Sequence, residues 1–451
     1  MRSVILLDMK PIEDLSFEVI ISRLRSQFAT LEQKEKSVNY DYALSDLLMS
    51  GFAMMMFQDP SLLSFQERLR SKHQRSNLET IFGVRKVPKE SQMRERLDEV
   101  SAEEVRVLLP LLFEEVKRAG WAKEWQSEIS DGSNAGFYYV MALDGSDYFN
   151  SEALSCKNCL VRRDRSGEVH YRHTVVAGTL VKSGKRLILP LDAELCAPQD
   201  GAEKQDCEST AGKRLIKRVG EEHPDLRLIV TGDDLYSHVP FIEACQKAGF
   251  SYVLVAKPDS HHELFEWVEE LDELEECEHV VWHVGPTCSR KFYHARIARE
   301  VPLRLDGAVK ATFVEVWESD KEGKGLYRNS FVTDLDVTEK NVSEVVAIGR
   351  SKWKIENEQF NIQKNHGYHL KHNYGHGKKN LSSLFYYLNL LAYLVHIILE
   401  RGDREFQKAR GTVRSRSRFW EEVRTLLRRL LWESWSNLMA FIGNEELGSS
   451  G

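Results

Sequence analysis

Apolar positions change their spacing along the chain, and each change marks a shift in architecture. From Ser16 to Lys123 they recur at helical intervals, broken at Asp59-Pro60-Ser61 and around Val87-Pro88. Tyr42 to Phe57 is almost wholly apolar, which predicts a helix buried in a bundle. Ser91-Gln-Met-Arg94 opens another helix, and Ser101-Ala-Glu-Glu104 has capping-box spacing ahead of Val105 to Val116. At Phe137 the helical period stops. Phe137-Tyr-Tyr-Val-Met-Ala-Leu143 is an unbroken apolar run ending on Asp144, the pattern of a central strand covered on both faces, with Gly145-Ser146 expected to turn the chain.

Thr174 to Val181 and Leu187 to Leu191 flank Ser183-Gly184 and predict a hairpin. Glu203 to Val219 predicts a helix, Leu226 to Val230 a buried strand running into Thr231-Gly-Asp-Asp234, Pro240 to Ala248 a helix and Tyr252 to Ala256 a fifth strand. An exposed acidic helix follows from Ser260. Val280 to Val332 then alternates over short strands (Phe292 to Ile297, Thr312 to Trp317, Tyr327 to Thr333) and reads as a β-rich insertion. Helices resume near Thr338, and Arg350 to Lys364 predicts one carrying Glu356 and Glu358. Leu381 to Leu399 holds no Asp, Glu, Lys or Arg and is long enough to span a bilayer. Ser382, Ser383, Asn389 and His396 within it favour a buried core helix. The tail from Arg401 to Trp435 mixes basic residues with Phe419, Trp420, Trp432 and Trp435, as an amphipathic, DNA-facing cap would.

The expected organisation is therefore α/β, with a helical domain at 1–130 that would be DNA-binding if its basic residues from Arg68 to Lys89 face phosphate, a core in two parts at 131–258 and 336–400, an acidic and β-rich insertion at 259–335, and a basic tail at 401–451. A three-strand meander followed by two strands, each preceded by a helix, is the element order of the ribonuclease H-like fold, a mixed five-stranded sheet with flanking helices. In that fold the first and fourth strands are neighbours, which would bring Asp144 and Asp233 together across 89 positions of sequence.

At 451 residues, 42% hydrophobic and 29% charged, the composition is that of a globular protein. Met1 to Lys10 has no signal-peptide pattern, and seven scattered cysteines suit a reducing, cytoplasmic setting. The net charge of −7 looks wrong for a nucleic-acid binder until ten acidic groups are located between Asp259 and Glu278. Basic residues cluster elsewhere, in Arg350 to Lys379 and Arg401 to Arg429. Those from Arg68 to Lys89 suit either a phosphate-facing surface or a solvated helix face.

The acidic candidates are Asp144 with Asp147 as competitor, Asp233 with Asp234, and Glu356 with Glu358. Asp144 ends its strand directly, Asp233 directly follows Thr231-Gly232, and Trp353, Glu356, Phe360 and Lys364 would share one helix face. With these three carboxylates the chain resembles a DDE-type transposase of bacterial insertion sequences, in the subgroup with a β-rich domain before the glutamate. The likeness covers nearly the whole chain. It rests most on Leu143-Asp-Gly-Ser-Asp-Tyr-Phe149, Glu203-Lys-Gln-Asp-Cys-Glu208 and Trp353-Lys-Ile-Glu-Asn-Glu-Gln-Phe-Asn361 running on to His376-Gly377. Many relatives carry Tyr-x-x-Arg-x-x-x-Glu-x-x-x-x-x-x-Lys; those positions here hold Gly349, Lys352, Glu356 and Gln363, with Lys364 one place beyond.

The resemblance implies binding of double-stranded DNA at terminal inverted repeats, as a homodimer in a bacterial nucleoid, and cleavage and strand transfer to target DNA. Asp144, Asp233 and Glu356 would hold two Mg²⁺ or Mn²⁺ ions, which favour oxygen ligands. Lys257, Arg350, Lys352, Lys364, Lys371, Lys378 and Lys379 are the expected DNA contacts. A catalytically silent DNA-binding descendant and a nuclease of the same fold are the alternatives.

Cys156-Lys-Asn-Cys159 and His170-Tyr-Arg-His173 supply two pairs at spacings suited to tetrahedral zinc, against free thiols and a solvated histidine pair. If His170 and His173 lie on a strand they point to opposite faces, and Cys207 is the alternative ligand. Cys196, Cys245, Cys277 and Cys288 read as buried apolar residues. His366, His369, His372 and His376 invite a metal reading, suit DNA-backbone contact better, and read most simply as a polar loop.

Overall fold

The computed structural model describes residues 15–34, 42–87, 89–198, 206–304, 307, 309–413 and 415–444. They form two compact units: a sheet unit of Glu124–Ser146 with Thr174–Phe360, and a helical unit of Met1–Lys123, Asp147–His173 and Asn361–Gly451. The class is mixed α/β. The expected start of the helix at Glu203 and the chain's first ten residues lie outside the described residues.

In chain order the strands are β1 (Gln126–Ile129), β2 (Gly136–Ser151), β3 (Leu160–Arg163), β4 (Val169–Val181), β5 (Ile188–Cys196), β6 (Leu228–Gly232), β7 (Ser251–Val255), β8 (Glu278–Val284), β9 (Lys291–Pro302), β10 (Lys310–Ser319) and β11 (Gly325–Thr333). β5 pairs with β4, and the order then runs β4-β2-β6-β7-β11-β10-β9-β8. β2, β6 and β7 are mutually parallel. β4 and β5 form the antiparallel hairpin that Ser183-Gly184 predicts, with Gly184 at φ 71° in its turn. Val140 to Leu143 are fully buried, as an apolar run without alternation requires of a central strand. The insertion adds to this same sheet: β11 pairs antiparallel with β7, and β10, β9 and β8 follow outward.

Two helices frame the strand tips. The Glu208–Glu222 helix buries Ala211, Gly212, Leu215, Ile216 and Val219, one helical stripe, and packs on β5. Arg214 and Arg218 tie it to Glu194 and Asp192 of β5. The Val342–Arg350 helix packs on β6 and β7.

Three expectations about local structure fail. β2 does not turn at Gly145-Ser146; it runs on to Ser151. Gly145 is there for room, since a Cβ on it would lie 2.0 Å from Glu208 Oε2. No capping box forms at Ser101: the first helix there starts from Ala102 without a side-chain cap, and it ends at Arg106 before a second, Leu108–Arg118, begins. Pro110 sits in the first turn of that second helix, where its missing N–H costs nothing. The glutamate helix starts at 353, and Ile355–Phe360 within it is π-helical. Its i→i+5 bonding widens the turn, so the roughly 100° step that put Trp353, Glu356 and Phe360 on one face does not hold. Trp353 and Glu356 are exposed while Ile355, Gln359 and Phe360 are buried.

In the helical unit, Leu44–Met56 is buried along its length, as its composition predicts. Gly51 lets it approach the Leu381–Gly402 helix, where a Cβ would meet Leu388 at 3.0 Å. The latter helix is apolar and long enough to cross a membrane, yet nearly all of it is buried inside the unit. The tail aromatics are core as well: Phe419, Trp420, Trp432 and Trp435 are buried, and Trp435 stacks on Phe17 at 4.2 Å. Arg68, for which the sequence left open a phosphate-facing or a solvated position, is instead paired with buried Asp59 and hydrogen-bonded to Gln74.

Candidate active site

Parallel pairing sets Ala142 of β2 beside Thr231 of β6. Two residues on, where strand alternation restores the same face, lie Asp144 and Asp233. Their side chains therefore leave adjacent strands at one level. Glu356 acts on the same place from the π-helical segment. Burial raises the pKa of Asp144 to about 6, and the charges of Asp233 and Glu356 push it the same way. Lys352 opposes that rise, with its Nζ 3.8 Å from Asp233 Oδ2. Three acids and one lysine thus share one electrostatic site.

Each competitor has other partners. Asp147 pairs with Arg172 at 3.1 Å. Asp234 accepts the Lys257 amide at 2.7 Å and the Ser260 hydroxyl at 2.5 Å, fixing the loop after β7. Glu358 lies 3.5 Å from the buried ammonium of Lys354, which in turn donates to the Lys185 carbonyl at 2.6 Å.

Two residues were missed by the sequence reading. Glu208, in the first turn of its helix, rests against Gly145 and so reaches the backbone next to Asp144. Tyr236 is buried, and its hydroxyl has no hydrogen-bond partner among the described residues. Its pKa is raised well above the ordinary value by burial and by Glu208, Asp144 and Asp233. Glu208 ends one of the stretches on which the resemblance rests, and that was the one available signal for it.

No protein-family model matches this chain, and no curated protein sequence does.

The expected DNA contacts fare differently from one another. Lys257, Lys371 and Lys378 are exposed, and Lys364 is half-buried. Arg350 is held within the protein, paired with buried Glu318 and stacked 4.1 Å from the Tyr327 ring. The Lys379 ammonium lies 2.6 Å from Glu99. Gln363, at the position where the resembled pattern has lysine, is fully buried and donates to Asn389 at 3.2 Å, so it belongs to the packing of the helical unit.

The Cys/His cluster forms with a different membership. Cys156, Cys159 and His173 come together, and the fourth member is His376. β4 already includes His170, so alternation sends it to the opposite face from His173; it lies instead near Glu152 and Asp164, at 3.9 and 3.8 Å. Cys207 is exposed, with its sulfur 3.3 Å from the Thr210 hydroxyl. Cys196 and Cys245 are buried as expected, Cys277 is half-buried, and Cys288 is exposed. Of the four histidines after the glutamate helix, His366 and His372 are exposed and only His376 is buried.

Proposed function

We propose that the chain is a DDE-type DNA transposase whose sheet unit is a ribonuclease H-like core. The fold reading is supported by the order β5-β4-β2-β6-β7 with β2, β6 and β7 parallel, the order that the sequence pattern implies. One observation carries the chemistry: Asp144 and Asp233 leave neighbouring parallel strands at one level, with Glu356 close enough to raise the pKa of Asp144.

That donor set fits a hard divalent cation. Every acidic donor is a carboxylate oxygen, and their mutual repulsion calls for positive charge. Asp144, Asp233 and Glu356 would hold Mg²⁺ or Mn²⁺, which when bound would activate an attacking oxygen and stabilise a leaving one at phosphorus. Lys352 relieves part of the repulsion and holds Asp233 in place. Exposed Trp353 and Glu356 and exposed Lys257 face solvent, where a DNA end can reach them. The partners on this reading are the terminal inverted repeats of the element, target DNA and a second copy of the chain, in a bacterial cytoplasm.

The test is an assay with duplexes carrying the repeats that flank the gene, in Mg²⁺. The protein is expected to cut at the repeat ends and join them to target DNA, while Asp233→Ala and Glu356→Ala bind the ends and do neither. Variants that cut and join normally would remove the triad. Cutting without end preference or joining would indicate a nuclease, and binding without cutting a silent descendant.

Gly145→Ala is a narrower probe. Its methyl cannot coexist with the Glu208 carboxylate, so the carboxylate or β2 must move. Displacements of about 1 Å near reacting groups cost about 10²-fold in rate, and a loss of that order in cleavage, with end binding kept, is the expected result.

A further inference from the structure

We infer that Cys156, Cys159, His173 and His376 form a closed, tetrahedral zinc site in the helical unit, with His376 as the ligand that completes it. The distances are those of a tetrahedron around an ion. With Zn–S near 2.3 Å and Zn–N near 2.0–2.1 Å, the edges should be about 3.8 Å between sulfurs, about 3.5 Å between sulfur and nitrogen and about 3.3 Å between nitrogens. The sulfurs stand 3.8 Å apart. Nε2 of His173 lies 3.5 Å from Cys156 Sγ and 3.4 Å from Cys159 Sγ. Nε2 of His376 lies 3.4 Å from Cys159 Sγ and 3.1 Å from Nε2 of His173. A disulfide would need its sulfurs near 2.05 Å, so the pair is not poised for one.

The surroundings prepare the ligands. Nδ1 of His376 lies 3.1 Å from the Gly377 carbonyl, which can only accept, so Nδ1 carries the hydrogen and Nε2 presents its lone pair to the cluster. The Cys156 amide donates to Cys159 Sγ at 3.3 Å. Phe149 stacks on His376 at 4.4 Å and Tyr148 on His173 at 5.6 Å, shielding the site. On the far side of His376, Asp98 accepts the amides of Lys378, Asn380 and Leu381, at 2.8, 2.9 and 2.9 Å. The residues before the Leu381–Gly402 helix are thus fixed at both ends. Four protein ligands leave no open position, so the role is structural: the ion would pin the Cys156–Cys159 turn and the start of β4 to that loop.

The full chain, expressed with zinc and purified without chelator, is expected to hold one zinc per chain by elemental analysis. His170→Asn should keep it; His376→Asn and Cys159→Ser should lose it and melt at lower temperature. Should those two fail to fold, His376→Cys is expected to restore zinc binding, and cobalt-loaded wild type should show the visible bands of a tetrahedral sulfur and nitrogen site. Wild type that holds no zinc and takes up cobalt without those bands would overturn the site. Loss of zinc from His170→Asn with retention by His376→Asn would overturn the ligand assignment.

Discussion

Asp144→Asn is expected to make the metal-free protein more stable at neutral pH while lowering cleavage about 10³-fold. The pKa of Asp144 lies at about 6, above its ordinary 3.8, chiefly through burial and then through Asp233 and Glu356. The folded state therefore holds that proton more tightly than the unfolded chain does. The resulting stability is complete below pH 4, declines as pH rises from 4 to 6, and is lost above 6. At 1.36 kcal/mol per pKa unit, ionised Asp144 costs the empty site on the order of 2–3 kcal/mol at pH 7.5. Asparagine removes that charge, so urea unfolding in EDTA should show the variant more stable by about that amount at pH 7.5 and little changed at pH 4. Mg²⁺ should stabilise wild type and not the variant. Loss of one ligand should lower cleavage by several kcal/mol of barrier, or about 10³-fold. A variant no more stable than wild type at pH 7.5 would mean that the three carboxylates do not strain one another.

Arg296→Ala should have the largest effect on stability outside the site. Arg296 on β9 is buried and donates to Glu315 at 2.7 Å, to Glu269 at 2.9 Å and to Asp272 at 2.9 Å. Glu315 is itself buried, with Arg328 as its other partner at 2.6 Å. The guanidinium holds the Glu269 carboxyl below its ordinary range and anchors the acidic His262–Glu273 helix against the added strands. Removing the guanidinium leaves Glu315 with Arg328 as its remaining partner and takes away several charged hydrogen bonds, at a cost of about 1.5–3 kcal/mol. Arg296→Met combined with Glu315→Met removes both charges and should recover most of that loss in denaturant unfolding. A single-variant cost under about 1 kcal/mol would show that the network is solvated.

Much of this could be read from local pattern. The buried strands β6 and β7, the β4–β5 hairpin, the Leu44–Met56 helix and the charge-free helix from Leu381 were legible because burial on all sides leaves a continuous apolar run. Asp144 and Asp233 could be placed together because strand order does the pairing. What stayed hidden depends on partners far along the chain. The Gly145 backbone is extended to admit Glu208, so the same Gly-Ser pair that signals a turn here signals close approach. The π-helical turn buries Ile355, Gln359 and Phe360 together, a pattern that a fixed helical step cannot register. His376 stands 203 positions from His173, beyond any spacing rule, although Cys156, Cys159 and His173 were found by spacing alone. β8 falls largely inside the β-rich span from Val280 but could not be delimited as a strand, because its alternation is weak, with Val281 and Val284 both exposed.

A strand with one unpaired side invites another chain to dock on it. Had the core stopped at five strands, that open side would belong to β7, one strand removed from Asp233. Because β11 occupies it, the border among the described residues moves four strands outward to β8. Any association of two copies by strand addition along that border would form away from the carboxylates, leaving their approach to solvent clear.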